Sequence, residues 1–244
     1  MSKFLRVSLP FGLLLVFWLW ASSWFGAVLA PPPWHVGAVF GRMLLQADTW
    51  WQVGATVWRG LAGLILAVAC AYLVGIPCGL HRHLMDFFSP LVTVMQGLPP
   101  IVWISLLLVW ARVGALVPVI VVFASVFPVL FIAIAQGAAG LDRRLFRMAK
   151  IYRVPRRRIL LDLILPGLAR PVLSAFSFAL GITWKVAATA EFFGAPDGIG
   201  ARIYRSFRLL DMPALFAWTV IIALIGLALD TGVISRVRLW AARQ

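Results

Sequence analysis

Few residues in this chain stand in patterns that could do chemistry. The stretch from Arg147 to Pro166, RMAKIYRVPRRRILLDLILP, gathers cations on one short segment. Dense guanidinium groups of this kind dock against acidic protein surfaces or anionic lipid headgroups. Lys185 and Glu191 stand at the end of an otherwise apolar run, where a charge must meet a counter-charge or a polar cavity. The three histidines, His35, His81 and His83, have no evident nucleophile or metal partner, so no hydrolytic constellation is expected. Cys70 and Cys78 share one apolar run without a spaced His or acidic co-ligand and read as packing residues. There is no Gly-x-x-x-x-Gly-Lys-[Ser/Thr] phosphate loop. Binding and docking are therefore expected of this chain, with no catalytic residue, no metal and no cofactor of its own.

Membrane spans must position these residues. The chain has 244 residues, 63% hydrophobic and only 12% charged, with mean hydropathy +0.98, which excludes an ordinary soluble domain. Its formal charge of +14 would suggest a nucleic-acid partner in a soluble protein. Here most Lys and Arg fall in short segments between hydrophobic runs, the pattern of positive-inside topology, and no nucleic acid is expected. About 20 apolar residues cross the hydrocarbon core. That length picks out spans at approximately 8–29, 54–80, 87–111, 114–138, 167–190 and 213–235, an all-α integral membrane fold in one domain, 1–244. The uncharged run Val7–Ala30 is longer than a signal-peptide core, and Pro31 would follow the scissile bond, so the first span is expected to stay. Placing the N-terminus inside puts Lys3, Arg6, Arg82, the cluster from Arg143 to Arg158, Arg236, Arg238 and Arg243 on the cytoplasmic side. Arg42, Arg112, Arg202, Arg205 and Arg208 fall outside. Both termini are thus expected in the cytoplasm.

Within the spans, Gly97-Leu98-Pro99-Pro100 interrupts the third, because proline removes a backbone donor and pushes its predecessor out of the helical region. Gln96 is polar at the same depth. Either the break lines a water-filled path or a neighbouring helix satisfies it. Lys185 precedes Glu191 by six residues, not the favoured four. Lys185, beside Trp184, either faces an anionic solute or pairs with a neighbouring helix. Arg59 is expected to snorkel outward. Arg202, Arg205 and Arg208 fall on one face three apart, for an acidic partner or for solvent.

Inside the basic loop, Asp142 can cap a helix whose apolar residues Leu141, Leu145, Met148, Ala149 and Tyr152 recur at helical spacing. Val154-Pro155 stops that helix. Pro155 suits the start of a second, Arg156 to Leu165, which feeds into Leu165-Pro166 at the membrane entrance.

This loop resembles the cytoplasmic loop of binding-protein-dependent ABC importer permeases. Their pattern is Glu-Ala-Ala, three residues, Gly, nine residues, a branched aliphatic, one residue, then Leu-Pro. Leu165-Pro166 places Leu163 on the aliphatic, Arg153 on the Gly and Arg147-Met148-Ala149 on Glu-Ala-Ala. The spacing fits, while Arg147 and Arg153 depart from the two most specific letters. Pro31-Pro32-Pro33-Trp34-His35-Val36, Pro99-Pro100-Ile101-Val102-Trp103 with Trp110-Ala111-Arg112-Val113-Gly114, Trp184-Lys185 with Ala190-Glu191, and Gly198-Ile199-Gly200 resemble the nitrate, sulfonate and taurine branch. A family Pro shortly after Trp103 is absent.

The resemblance implies the type I importer permease fold, with six spans and a coupling helix in the loop 139–166. It implies a bacterial plasma (inner) membrane location, a second permease copy as a homodimer, and a periplasmic or lipoprotein solute-binding protein above. Two separate ATP-binding cassette ATPases below would hold ATP and Mg. Leu145, Arg147, Met148, Ala149, Lys150, Tyr152, Arg153, Val154 and Pro155 are the implied ATPase contact. Gln96, Pro99, Pro100, Trp103, Trp184, Lys185 and Glu191 are the candidate path residues, for a small anion such as nitrate, a sulfonate or a taurine-like compound. A six-span secondary transporter or channel, not driven by ATP, has the same hydropathy and stays open at this point.

Overall fold

The computed structural model describes residues 3–111 and 113–229 together with Gly232. Arg112, Arg236, Arg238, Arg243 and the last six residues expected in the sixth span, 230–235, therefore lie outside or largely outside the described residues. The described chain is helical: α1 Lys3–Leu29, α2 Pro33–Leu44, α3 Ala47–Leu80, α4 Arg82–Gly97, α5 Pro100–Ala111, α6 Leu116–Ala139, α7 Arg143–Ile151, α8 Arg156–Arg158, a π-helical segment Ile159–Ile164, α9 Leu165–Gly194, α10 Ile199–Arg208 and α11 Met212–Leu229. Five helices are long and apolar enough to cross a membrane, or six when the bent pair α4 and α5 counts as one. The expected six spans are thus recovered, with shifted ends.

Three shifts have physical causes. The second span starts at Ala47, not near 54, because Asp48, Gln52 and Arg59 pair with other residues of this chain and Thr49 is buried. The third breaks where the prolines predict, between Gly97 and Pro100, and its halves diverge by 96°. The fifth does not begin anew at Leu165-Pro166. From Arg156 to Gly194 the helix runs unbroken for 39 residues. Pro166 has no N–H to return to the fourth residue before it, and the turn just ahead of it is widened, with the Leu165 N–H bonding back to the Leu160 carbonyl. The proline is absorbed instead of ending the helix.

The core is a packed trio of α3, α6 and α9. Along α3, Gly63, Ala67, Ala71, Gly75 and Gly79 recur every four residues and form one small-residue face. A β-carbon on Gly63 would stand 2.7 Å from both the Val119 carbonyl and the Val122 side chain, so the two backbones meet almost directly. Such small-residue seams replace the hydrophobic driving force that helices lack in lipid. A second, smaller cluster joins α2, α10 and α11 through Val36, Met43, Ile199, Ala217, Trp218 and Ile221. α1 is broken at Gly26, whose φ is +77°, and touches the rest mainly through Trp18, stacked on Phe216 with centroids 5.6 Å apart.

Candidate functional site

At one end of the bundle the basic loop forms the helix its sequence predicts. The Asp142 carboxylate accepts the Arg144 N–H at 2.8 Å and caps α7. No residue of α7 is buried, and Leu145, Met148, Ile151 and Tyr152 all stand exposed. Phe146, which the apolar periodicity passes over, is the side chain that packs α7 onto the core, alongside Leu141 and Ile159. Arg147, Lys150 and Arg153 are exposed, and none of the three has an ion-pair partner among the described residues. α7 therefore presents a mixed apolar and cationic face that no other described residue covers.

Arg153 explains how α7 stops. Its φ is +50°, the left-handed region that side chains disfavour. The Val154 N–H reaches the Ala149 carbonyl at 2.9 Å and the Arg153 N–H reaches Lys150 at 3.1 Å, the paired bonds of a helix end that normally places glycine at this position. Ala149 and Val154 are thus half-buried parts of the cap, and Pro155 follows it. Arg153→Gly should relieve about 1–2 kcal/mol of local strain. At roughly 2–4 °C per kcal/mol for a chain of this size, the expected readout is a small rise in melting temperature of the detergent-solubilised protein, absent in Arg153→Ala.

A second feature runs along α9. Arg170, Ser174, Phe178, Gly181, Lys185 and Thr189 are exposed at intervals of three and four, a single stripe on a membrane helix. The stripe borders a groove of ≈ 680 Å³ lined by Gln136, Pro171, Ser174 and Phe178. Lys185 stands further along the stripe, outside that groove, exposed and without an ion-pair partner among the described residues. Of the other candidate path residues, Gln96 and Pro99 are exposed, Pro100 and Trp103 half-buried. Trp184 is 3% exposed, packed where a β-carbon on Gly60 would meet its ring at 3.1 Å. Within this chain Trp184 supports the stripe from behind and does not border it.

Glu191 leaves the stripe altogether. It is fully buried, and its partner is Arg59 at 3.0 Å, not Lys185. Arg59, expected to snorkel outward, is only 5% exposed. It turns inward because two carboxylates wait there: Glu191, and Asp197, whose side chain and carbonyl both take its guanidinium. Around this ion cluster the loop before α10 is tied down. Gly198 donates its N–H to the Gln52 amide oxygen at 2.7 Å, Ile199 to the Thr56 hydroxyl at 2.8 Å and Gly200 to Glu191 at 3.1 Å. The Thr56 hydroxyl donates in turn to Glu191 at 2.7 Å. Only glycine fits at 198, where φ is +103° and a β-carbon would overlap the Glu191 carboxylate. The charged residues Arg59 and Glu191 were visible as oddities in their spans, but their partnership spans 132 residues and no local pattern encodes it.

The arginines of α10 are divided. Arg202 clasps Asp48 through both carboxylate oxygens, at 2.6 and 2.9 Å, and Arg208 lies over the Tyr204 ring at 5.8 Å. Arg205 lines a cavity of ≈ 590 Å³ with Arg42, Asp48, Ser206 and Asp211.

Comparison with known proteins supplies a context for this geometry. The family model described as binding-protein-dependent transport system inner membrane component matches residues 71–234. A probable ABC transporter permease protein of Brucella melitensis is 28% identical over 84% of this chain and 83% of its own length. The taurine transport system permease protein of Escherichia coli is 25% identical, covering 90% of this chain and 82% of its own. The bicarbonate transport system permease protein of Synechococcus elongatus is 25% identical over 76% of this chain and 67% of its own. Among solved structures, a chain of the MetNI methionine ABC transporter in an inward-facing conformation superposes with a TM-score of 0.56 at 16% identity, over 79% of this chain and 99% of that one. That likeness is one of fold.

Proposed function

Because the chain belongs to the family of binding-protein-dependent transport system inner membrane components, we propose that it forms the solute path of an ATP-driven importer as a pair of identical copies. It is a multi-pass permease subunit of an ABC importer, in the nitrate, sulfonate and taurine branch. This membership displaces the secondary transporter or channel. The whole chain, 1–244, acts as one membrane domain with both termini in the cytoplasm, so that α7 meets the ATPases and α10 faces the solute-binding protein. ATP and Mg belong to those ATPases.

One observation carries the coupling role: α7 projects from the bundle with Leu145, Met148, Ile151 and Tyr152 exposed and no packing partner for them among the described residues. Apolar side chains at helical spacing, flanked by unpaired Arg147 and Arg153, suit an ATPase cleft with an acidic rim. Arg147→Glu should reduce co-purification of the ATPase by about tenfold, a change of about 1.4 kcal/mol. Undiminished co-purification together with undiminished transport would sink the assignment.

The solute we propose is a small anion, on the strength of Lys185. A cation exposed on a membrane span is costly in lipid and favourable beside a polar path. Relatives named for taurine, aliphatic sulfonates and bicarbonate agree with that charge.

A further inference from the structure

α10 is fastened in an unusual way. The first donors of a helix are ordinarily met by its own cap side chain or by water. Gly198, at the cap of α10, has no side chain, and the three successive N–H groups of Gly198, Ile199 and Gly200 are received by Gln52 and Thr56 of α3 and by Glu191 of α9. All three acceptors come from buried side chains. The Arg59 pairs with Glu191 and Asp197 close the same joint. α10 cannot slide or rotate on α9 without leaving several buried polar groups unpaired. Buried ion pairs add little net stability over apolar packing, and a register function suits them better.

The other end of α9 is equally telling. It runs without interruption back to Arg156, one residue beyond the Pro155 that closes the α7 cap. At roughly 1.5 Å per residue this rod is about 58 Å long.

We propose that Thr56, Arg59 and Glu191 are positioning residues that lock α10 to the far end of α9, so that displacement of the α7 end is delivered to α10 as a rigid movement. Thr56 is the pin, since its hydroxyl both donates to Glu191 and accepts from Ile199. The proposal rests on α7 being the ATPase contact.

The test uses the full complex with its ATPases in proteoliposomes, with Cys70 and Cys78 replaced by Ala and a single reporter, Arg208→Cys, on the exposed side of α10. The rate of labelling by a membrane-impermeant maleimide is compared between the nucleotide-free complex and the complex trapped with Mg-ATP and vanadate. With Thr56 in place, the two rates should differ about fivefold or more. In Thr56→Val the ratio should collapse to below about twofold while ATP hydrolysis persists, and Thr56→Ser should restore it. Gln52→Met, which removes the cap on Gly198 together with the Gln52 hydrogen bond to Asp48, carries the same test should Thr56→Val fail to assemble. An unchanged ratio in the assembled variant, or no difference with Thr56 present, overturns the proposal. ATPases that do not bind the parent chain at all would instead overturn the role of α7.

Discussion

Arg59→Met should destabilise the folded protein by about 3–5 kcal/mol, the usual cost of stranding a buried charge whose partner has been removed. Glu191 is fully buried, and the guanidinium is its single ionic partner among the described residues. The Thr56 hydroxyl and Gly200 N–H remain, but neither carries a charge. Asp197 loses its partner as well. Thermal aggregation of the detergent-solubilised protein measures the effect, at roughly 2–4 °C per kcal/mol for a chain of this size. Combining Arg59→Met with Glu191→Gln should recover part of the loss, because the stranded carboxylate is gone. A single variant that melts with the parent would mean that the pair contributes no stability.

Lys185→Met should cut uptake more than tenfold while the complex still assembles. At an effective dielectric of about 20, a cation and an anion about 4 Å apart attract by about 4 kcal/mol, well above the 1.4 kcal/mol of a tenfold change. The substitution has little to disturb structurally: Lys185 is exposed, it has no ion-pair partner among the described residues, and Met fills the same stem. Lys185→Arg should retain most uptake. Labelled taurine, an alkanesulfonate and bicarbonate are the probes, the measurement being made on whichever the parent complex carries. Parent-level uptake by Lys185→Met would remove the charge from the path, and a misfolded Lys185→Met protein would make it a structural residue.

What the sequence disclosed depends on how far apart the interacting groups lie. The spans emerged because hydropathy is summed over some twenty neighbours and needs no partner. The Asp142 cap and the halt at Val154-Pro155 emerged for the same reason, since each involves residues a few positions apart. The break before Pro100 was equally local. Pro166 misled because proline announces a lost bond but not whether a widened turn will absorb it. Arg59 misled because Glu191 is distant in the chain. The full stripe from Arg170 to Thr189 went unseen beyond Lys185 since serine, glycine and threonine read as neutral in a hydropathy average. Phe146 escapes the periodicity because Leu145, Met148 and Tyr152, which make up most of the apolar face it traces, are the residues α7 leaves exposed.

The seam of Gly63, Ala67, Ala71, Gly75 and Gly79 has a kinematic meaning. Backbones in such close contact leave no clearance for one helix to climb over the other, so α3 and α6 form a single link with no joint between them. Joints require slack, and the chain places it elsewhere: at the elbow of Leu98 and Pro99, where the third span turns by 96°, and at Gly26, where α1 breaks away from the bundle. A mechanism assembled from these parts would swing its third span and its first against a spine that moves as one rigid piece.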